Sequence, residues 1–160
     1  AAYAGTFGMD VLLFRFANVV GPRAAHGVIP DFIAKLRRDP KVLEVLGDGT
    51  QTKSYVSVED TVAGMLHAAR KAPAGCNTYN LGSLDAIPVT RIAETVAAEM
   101  GLKPRLRFLG GPGGAGWKGD VKLMTLDVAR LMALGWRPQH SSGEAVRRAA
   151  RSLAANPSRT

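Results

Sequence analysis

Residues 47–60 read GDGTQTKSYVSVED, and this stretch decides how the chain can fold. Two glycines around an aspartate are typical of a tight turn, and the alternating apolar residues of SYVSV predict a strand over 54–58. Ser57 and Asp60 then resemble the start of a capped helix. A turn, a basic residue, a strand and a helix cap in such close succession are typical of a ligand-binding edge.

The segments on either side alternate between strand and helix patterns. VLLFRF at 11–16 is a short apolar run with little alternation, which predicts a parallel strand buried on both faces. Apolar spacing predicts a helix over 28–38. Further strands are predicted at 42–46, 78–82 and 105–109. This alternation predicts an α/β fold.

Connections and helix ends carry their own signals. ANVVGPR at 17–23 is predicted to form a turn. Pro88 is predicted as the first residue of a helix that stops at Gly101. Ser141 and Glu144 form a capping box for a last helix.

Length and composition limit the class of protein. The chain has 160 residues and is 46% hydrophobic, which fits one globular domain with a core. No apolar run approaches the ~18 residues of a membrane span, and the N-terminus lacks the order of a signal peptide. We therefore expect a cytoplasmic protein without a membrane partner. The single cysteine, Cys76, excludes an internal disulfide and offers no cysteine pair for a metal.

The formal charge of +8 makes an anionic partner plausible. The basic residues are dispersed, and aromatic residues make up only 6% of the chain without interleaving among them. Nucleic-acid binding is therefore not favoured, and solvated helix faces explain the charge better.

A glycine-rich segment, GGPGGAG at 110–116, matches the dinucleotide fingerprint G-x-G-x-x-G. That fingerprint requires a helix that opens directly at the glycines and a second parallel strand soon after. The following WKGDVKLM predicts neither, so we expect a flexible or substrate-facing loop. No metal-ligand spacing, nucleophile elbow or Walker motif occurs. The residues alone assign no catalytic, cofactor-binding or metal-binding group.

Five segments, in order and spacing, resemble the C-terminal half of nucleotide-sugar epimerases and dehydratases of the extended short-chain dehydrogenase/reductase superfamily. UDP-glucose 4-epimerases are the most similar group. The segments are FRFANVVGPR (14–23), HGVIPDFIAKL (26–36), GDGTQTKSYVSVEDTVAGM (47–65), YNLGS (79–83), and GWKGDV with LDVARLMALGWRP (116–138).

The resemblance implies a fold and a division of labour. It implies the last strands of a Rossmann-like parallel sheet plus the small α/β substrate-binding domain. Residues 1–160 would then be the nucleotide-sugar-binding half, beginning just after the helix that bears the catalytic lysine. The NAD-binding half, with its glycine fingerprint and Tyr-x-x-x-Lys, would be absent. NAD is the cofactor of the full-length family, and none is expected to bind this chain.

The resemblance also implies a UDP-sugar partner and a set of site residues. Asn18 would contact the diphosphate, residues 27–29 and the strand 43–46 would enclose the base, and Lys53 stands where the family carries an arginine. The substrate-binding candidates are Asn18, His26, Gly27, Val28, Ile29, Leu43, Val45, Leu46, Lys53, Trp117, Lys118 and Asp120.

Several of these residues have simpler explanations. Lys53 can be a solvated residue on a strand edge, and it lacks the bidentate fork of arginine. Related sequences place an arginine where Ala115 stands, and Lys118 is a candidate for that missing charge. Asp60 fits a helix start and Asp120 a turn. Trp117, like Trp136, can be a packing residue.

The resemblance implies epimerisation, in which NAD takes a hydride from the sugar and returns it to the other face. This chain would position the nucleotide and be inactive alone. One alternative is the same half of a dehydratase or decarboxylase. Another is a non-catalytic basic binding module. Because the strand at 11–16 would lose its neighbours, we expect an unpaired edge that self-associates or holds the missing N-terminal half.

Overall fold

The computed structural model describes residues 2–156, and helices and strands alternate through most of them. The helices are α1 (Ala2–Phe7), α2 (Val28–Arg38), α3 (Val58–Lys71), α4 (Val89–Glu99), α5 (Ala129–Ala133) and α6 (Ser142–Ala155). The strands are β1 (Val11–Phe16), β2 (Asn18–Val20), β3 (Val42–Leu46), β4 (Thr52–Lys53), β5 (Tyr55–Ser57), β6 (Cys76–Leu81), β7 (Ile87–Pro88), β8 (Arg105–Leu109) and β9 (Leu123–Met124).

Strand pairing is mostly parallel. Strand β1 pairs with β6, β2 with β5 and β3 with β8, each in parallel. The short β4 lies between β7, which runs antiparallel to it, and β9, which runs parallel. Since parallel neighbours need a long crossover, the intervening helices follow from this pairing. The predicted α/β class is confirmed.

The larger hydrophobic core lies among α2, α4, α6 and the strands β3 and β5. The apolar stripe predicted for helix α2 faces this core, and its residues Ile29, Ile33 and Leu36 are almost fully buried. A second cluster surrounds Trp136, which packs with residues of α3, α5 and β6. The core on the α2 side therefore supports the segments that surround the cavity described below.

Several boundaries differ from the sequence prediction, and β6, for example, begins two residues before the strand expected at 78–82. The strand expected at 54–58 is shortened to β5 at 55–57. Helix α3 already begins at Val58, because the Ser57 side chain caps it by accepting from the Asp60 amide at 3.0 Å. Pro88 caps α4 instead of opening it. Within the turn predicted at 17–23, three residues form β2, because pairing with β5 decides their conformation.

The prediction that 11–16 is buried on both faces was wrong. Leu13 and Phe16 are 48% and 45% exposed. Among residues 2–156, β1 has a strand neighbour on one edge only. Leu13 and Phe16 point to opposite faces of the strand, so neither face is fully covered. We use the name open apolar face for the exposed apolar side chains of α1, β1 and α3, which are Tyr3, Phe7, Leu13, Phe16, Val62 and Leu66.

The helices are short. The longest, α3 and α6, have 14 residues each, against about 20 for a membrane span. None of the helices within residues 2–156 has both the length and the apolar character to cross a bilayer. Helix α6 begins with the predicted capping box of Ser141 and Glu144.

Candidate functional site

The GDG turn anchors the glycine-rich loop. The Gly47 amide donates to the Leu109 carbonyl at 3.1 Å, and the Asp48 amide donates to the Gly114 carbonyl at 3.0 Å. The Asp48 carboxylate accepts from Thr50 and from Lys122. These hydrogen bonds lower the pKa of Asp48 to about 2. The turn therefore holds the loop at 110–120 against the end of β3.

A cavity of about 340 Å³ lies between α2, the β3–β5 segment and this loop. Its walls are largely apolar, and its polar side chains come from α2, β4, β5, the neighbouring Gln51 and the loop. Six of the sequence-predicted residues line it: Gly27, Val28, Leu46, Lys53, Trp117 and Asp120. Segments distant in sequence thus meet at one concave site, which is where small ligands bind in proteins.

The other six candidates do not line this cavity. Ile29, Leu43 and Val45 are buried in the core behind its walls. Three more lie elsewhere, and their roles stay predictions: Asn18, His26 and Lys118. Asn18 lies opposite Tyr55 in the pairing of β2 with β5, and Tyr55 does line the cavity. The side-chain amide of Asn18 donates to the Ser54 carbonyl at 3.1 Å. His26 and Lys118 are exposed.

Lys53 and Asp120 form an ion pair at the cavity wall. The Lys53 Nζ lies 2.9 Å from Asp120 Oδ1, and the two side chains are 20% and 1% exposed. Asp120 Oδ2 also accepts from the Gly116 amide at 3.1 Å. Burial alone would raise the pKa of Asp120, but the hydrogen bonds from Lys53 and Gly116 lower it overall. Asp120 thus does more than form the expected turn, because it ties the loop to β4.

Gln51 is a residue that the sequence reasoning missed. It is 6% exposed and lines the cavity. Its Nε2 donates to the Leu46 carbonyl at 3.0 Å and to Asp120 Oδ2 at 3.4 Å. Its Oε1 is buried and has no hydrogen-bond partner among residues 2–156. Gly47 has φ of 87°, and any Cβ there would collide with the Gln51 amide. The spacing of Gln51 and Lys53, which places both on one side of an extended segment, could have revealed it.

Four further lining residues also escaped the sequence reasoning: Asp31, Phe32, Tyr55 and Val89. Asp31 and Phe32 follow Val28 by one helical turn, a spacing that could have predicted them. Val89 comes from a distant helix and left no local signal. Burial, and then the negative charge of Asp120, raise the pKa of Tyr55 to about 12. Its hydroxyl therefore stays protonated at neutral pH and is a poor proton acceptor.

Asp60 has a structural role that differs from the expected one. Its carboxylate accepts from the amides of Gln139 and His140 and lies 2.9 Å from the His140 ring nitrogen Nδ1. It therefore connects the start of α3 to the segment before α6, and the cap of α3 itself comes from Ser57. A ring nitrogen of His67 lies 2.8 Å from the Leu134 carbonyl, so this histidine connects α3 to the segment after α5.

The glycine-rich loop does not have the form of a dinucleotide site. A single 3₁₀ turn, Pro112–Gly114, follows β8 where the fingerprint requires a long helix. The two-residue β9 comes next, and it pairs with β4 and not with β8. The described residues therefore do not fit NAD at this loop. Residues 2–156 also contain no cluster of three or more acidic, histidine or cysteine side chains that could hold a metal.

Solved structures share this fold. A UDP-galactose 4-epimerase structure is 48% identical, with a TM-score of 0.84, and the match covers 96% of this chain and 49% of that one. A UDP-glucose 4-epimerase from Thermotoga maritima, determined with UDP-glucose, is 25% identical with a TM-score of 0.78, over 94% of this chain and 48% of that one. The predicted Rossmann-like α/β class is thereby confirmed.

A relative found by sequence is also a nucleotide-sugar 4-epimerase. The dTDP-L-rhamnose 4-epimerase of Burkholderia thailandensis is 29% identical over 81% of this chain and 36% of its own length. This chain thus spans less than half of the length of each of these three proteins. The sequence model of the NAD dependent epimerase/dehydratase family matches residues 1–82. On this evidence the chain belongs to the NAD dependent epimerase/dehydratase family.

Proposed function

We propose that this chain is the C-terminal, nucleotide-sugar-binding half of an NAD-dependent nucleotide-sugar 4-epimerase, and that its ligand is a UDP-sugar. The observation that carries the proposal is the cavity, where Lys53 stands among apolar walls contributed by α2, β3 and the glycine-rich loop. The similar structures named above are UDP-sugar 4-epimerases, one of them determined with UDP-glucose.

The cavity suits the nucleotide better than the whole ligand. Its volume of about 340 Å³ is at the small end of the ~300–1,000 Å³ typical of small-molecule sites. The nucleotide fills this space, and the sugar ring lies at the opening, where a catalytic half would meet it. Binding and chemistry are thereby assigned to different parts of the protein.

Lys53 supplies the positive charge for the diphosphate. An ammonium group has three N–H donors, and the pair with Asp120 uses one of them. The others can reach phosphate oxygens from the cavity. Because lysine offers a point charge and not a planar fork, it attracts the diphosphate without fixing its orientation as arginine would.

The chain binds without turning over its ligand when it is alone. The sequence has no Tyr-x-x-x-Lys, and Tyr55, the tyrosine at the cavity, has its pKa raised to about 12. Purified chain, free of host epimerase, is therefore expected not to interconvert UDP-glucose and UDP-galactose. Measurable turnover by that preparation contradicts the assignment.

The open apolar face is the surface for a macromolecular partner. In the complete protein it packs against the NAD-binding half, and in the isolated chain a second copy covers it. Apolar burial is favourable by about 25 cal/mol per Å². Because association costs translational and rotational freedom, a stable contact between the copies should bury about 1,000 Å² or more in total.

An NMR titration tests the ligand assignment. UDP is expected to shift the amides of residues 27–32, 46–55 and 116–120, whereas NAD leaves them unaltered. Lys53→Ala should weaken UDP binding about tenfold, the loss expected for one charge-assisted contact. Lys71→Ala, at an exposed lysine in the last turn of α3 that does not line the cavity, is the matched control. Equal losses for both variants, or UDP shifts confined to other residues, would reject the site.

A further inference from the structure

The two tryptophans of the chain occupy opposite environments. Trp136 is 6% exposed and packs in the second core cluster, whereas Trp117 is 57% exposed at the cavity. Because covering the large apolar surface of an indole is favourable, an exposed tryptophan at a concave site is suited to contact a ligand. The position of Trp117 therefore calls for an explanation other than packing.

The loop holds Trp117 in place from both sides. The Gly116 amide donates to the Asp120 carboxylate at 3.1 Å, and the Trp117 carbonyl accepts from the Asp120 amide at 3.1 Å. Gly116 itself packs so closely that a Cβ there would lie 3.2 Å from Asp120 and 3.3 Å from Leu46. The exposed ring is thus carried by an anchored backbone, which reduces the entropy lost when a ligand stacks on it.

The surroundings of the ring indicate which ligand fits. The Lys53 ammonium lies 5.3 Å from the centre of the Trp117 ring, a cation–π distance. A ligand on this ring therefore has a positive charge beside it and the apolar side chains Val28 and Phe32 in the same cavity. A planar apolar group joined to a phosphate matches that arrangement.

We propose that Trp117 is the stacking platform for the nucleobase of the ligand and thereby makes the site select nucleotides over other phosphorylated compounds. The inference rests on the proposed function and assigns to one residue the recognition of the base. Lys53 attracts the phosphates of any such ligand, whereas Trp117 responds only to a ligand that carries a planar base.

Tryptophan fluorescence, excited at 295 nm to avoid absorption by uracil, tests the contact. UDP is expected to quench the emission of the wild-type chain, and inorganic pyrophosphate, which supplies the phosphates without a base, is not. In Trp117→Phe the buried Trp136 is the remaining reporter, and UDP should leave its emission unchanged. Quenching that persists in Trp117→Phe overturns the assignment.

Affinity measurements by NMR or calorimetry complete the test. Trp117→Ala should weaken UDP binding about tenfold, within the range for loss of one base–aromatic stack, and change pyrophosphate binding less than about twofold. Tyr3→Ala, an exposed aromatic residue on α1, is the matched control and should bind UDP normally.

The outcomes separate the two proposals. Wild-type affinity for UDP in Trp117→Ala, or equal losses for UDP and pyrophosphate, overturns the platform and leaves the proposed function standing. A wild-type chain that does not bind UDP at all overturns the proposed function, and the platform with it.

Discussion

The two sides of the molecule differ in how their apolar side chains are covered. On the cavity side, α2, α4 and α6 pack on β3 and β5, and Ile33 and Leu36 are almost completely buried. On the open apolar face, α1, β1 and α3 leave large side chains such as Tyr3 and Leu66 more than half exposed. The described residues therefore complete one core by themselves, while large apolar side chains on the other side stay exposed to solvent.

Matched leucines give the largest expected difference between the two sides. Leu36→Ala, in α2, removes a side chain that is 1% exposed and should lower the free energy of unfolding by about 2–5 kcal/mol. Leu66→Ala, in α3, removes one that is 53% exposed and should change it by less than about 0.5 kcal/mol. Urea denaturation measures both. Similar losses would mean that Leu66 is buried in solution.

Association through the open apolar face should respond to a single charge. Leu66→Glu places a carboxylate where a second copy would bury it, so the dissociation constant is expected to rise about tenfold or more. Sedimentation across a concentration series measures this. Leu123→Glu, at a leucine that is also more than half exposed but lies outside that face, is the control. A wild-type chain that is monomeric at every concentration contradicts the proposed surface.

The ion pair at the cavity should contribute less than a core leucine. Asp120→Asn keeps the shape of the side chain but removes a buried charge, and it should cost about 1–2 kcal/mol, because Lys53 retains partial access to water. Glu94→Gln, at the exposed pair with Arg91, should cost less than about 0.5 kcal/mol. Equal effects in denaturation experiments would mean that the Asp120 pair is solvated.

Acid should destabilise the contacts of Asp120 with Lys53 and Gly116 at the cavity. The pKa of Asp120 is lowered in the folded chain, so its stabilising effect is complete above the unfolded value of about 3.9 and is lost as the pH falls through the lower folded value. Asp60 acts in the same direction. The emission of Trp117 should change in this acidic range, and Asp120→Asn should remove most of that change. A transition at neutral pH would point to a different group.

Local chemistry explains how much of this molecule the sequence could predict. The stripe of Ile29, Ile33 and Leu36 predicts α2 because helical spacing alone decides which side chains share a face. The box of Ser141 and Glu144 predicts the start of α6 for the same reason, since all its partners lie within one turn. Segments with such short-range determinants were predicted correctly.

Other features depend on partners far along the chain. The three residues of β2 look like a turn until β5 lies beside them. Asp120 looks like a loop residue because nothing near it in sequence reveals the buried contact with Lys53. Of the twelve predicted substrate-binding residues, those at the cavity came from a family resemblance, and Val89 escaped because tertiary packing alone brings it there.

The parallel pairing has a consequence for how the chain folds. Strands β1 and β6, β2 and β5, and β3 and β8 are each separated by at least one whole helix, so none of these pairs can close as a hairpin. Closing these long loops costs conformational entropy before the strand pairs can form their stabilising contacts. Folding should therefore be slow for a domain of this size. Helix α6 packs against β5, α2 and α4, so the core that supports the cavity cannot be completed until the end of that helix has left the ribosome.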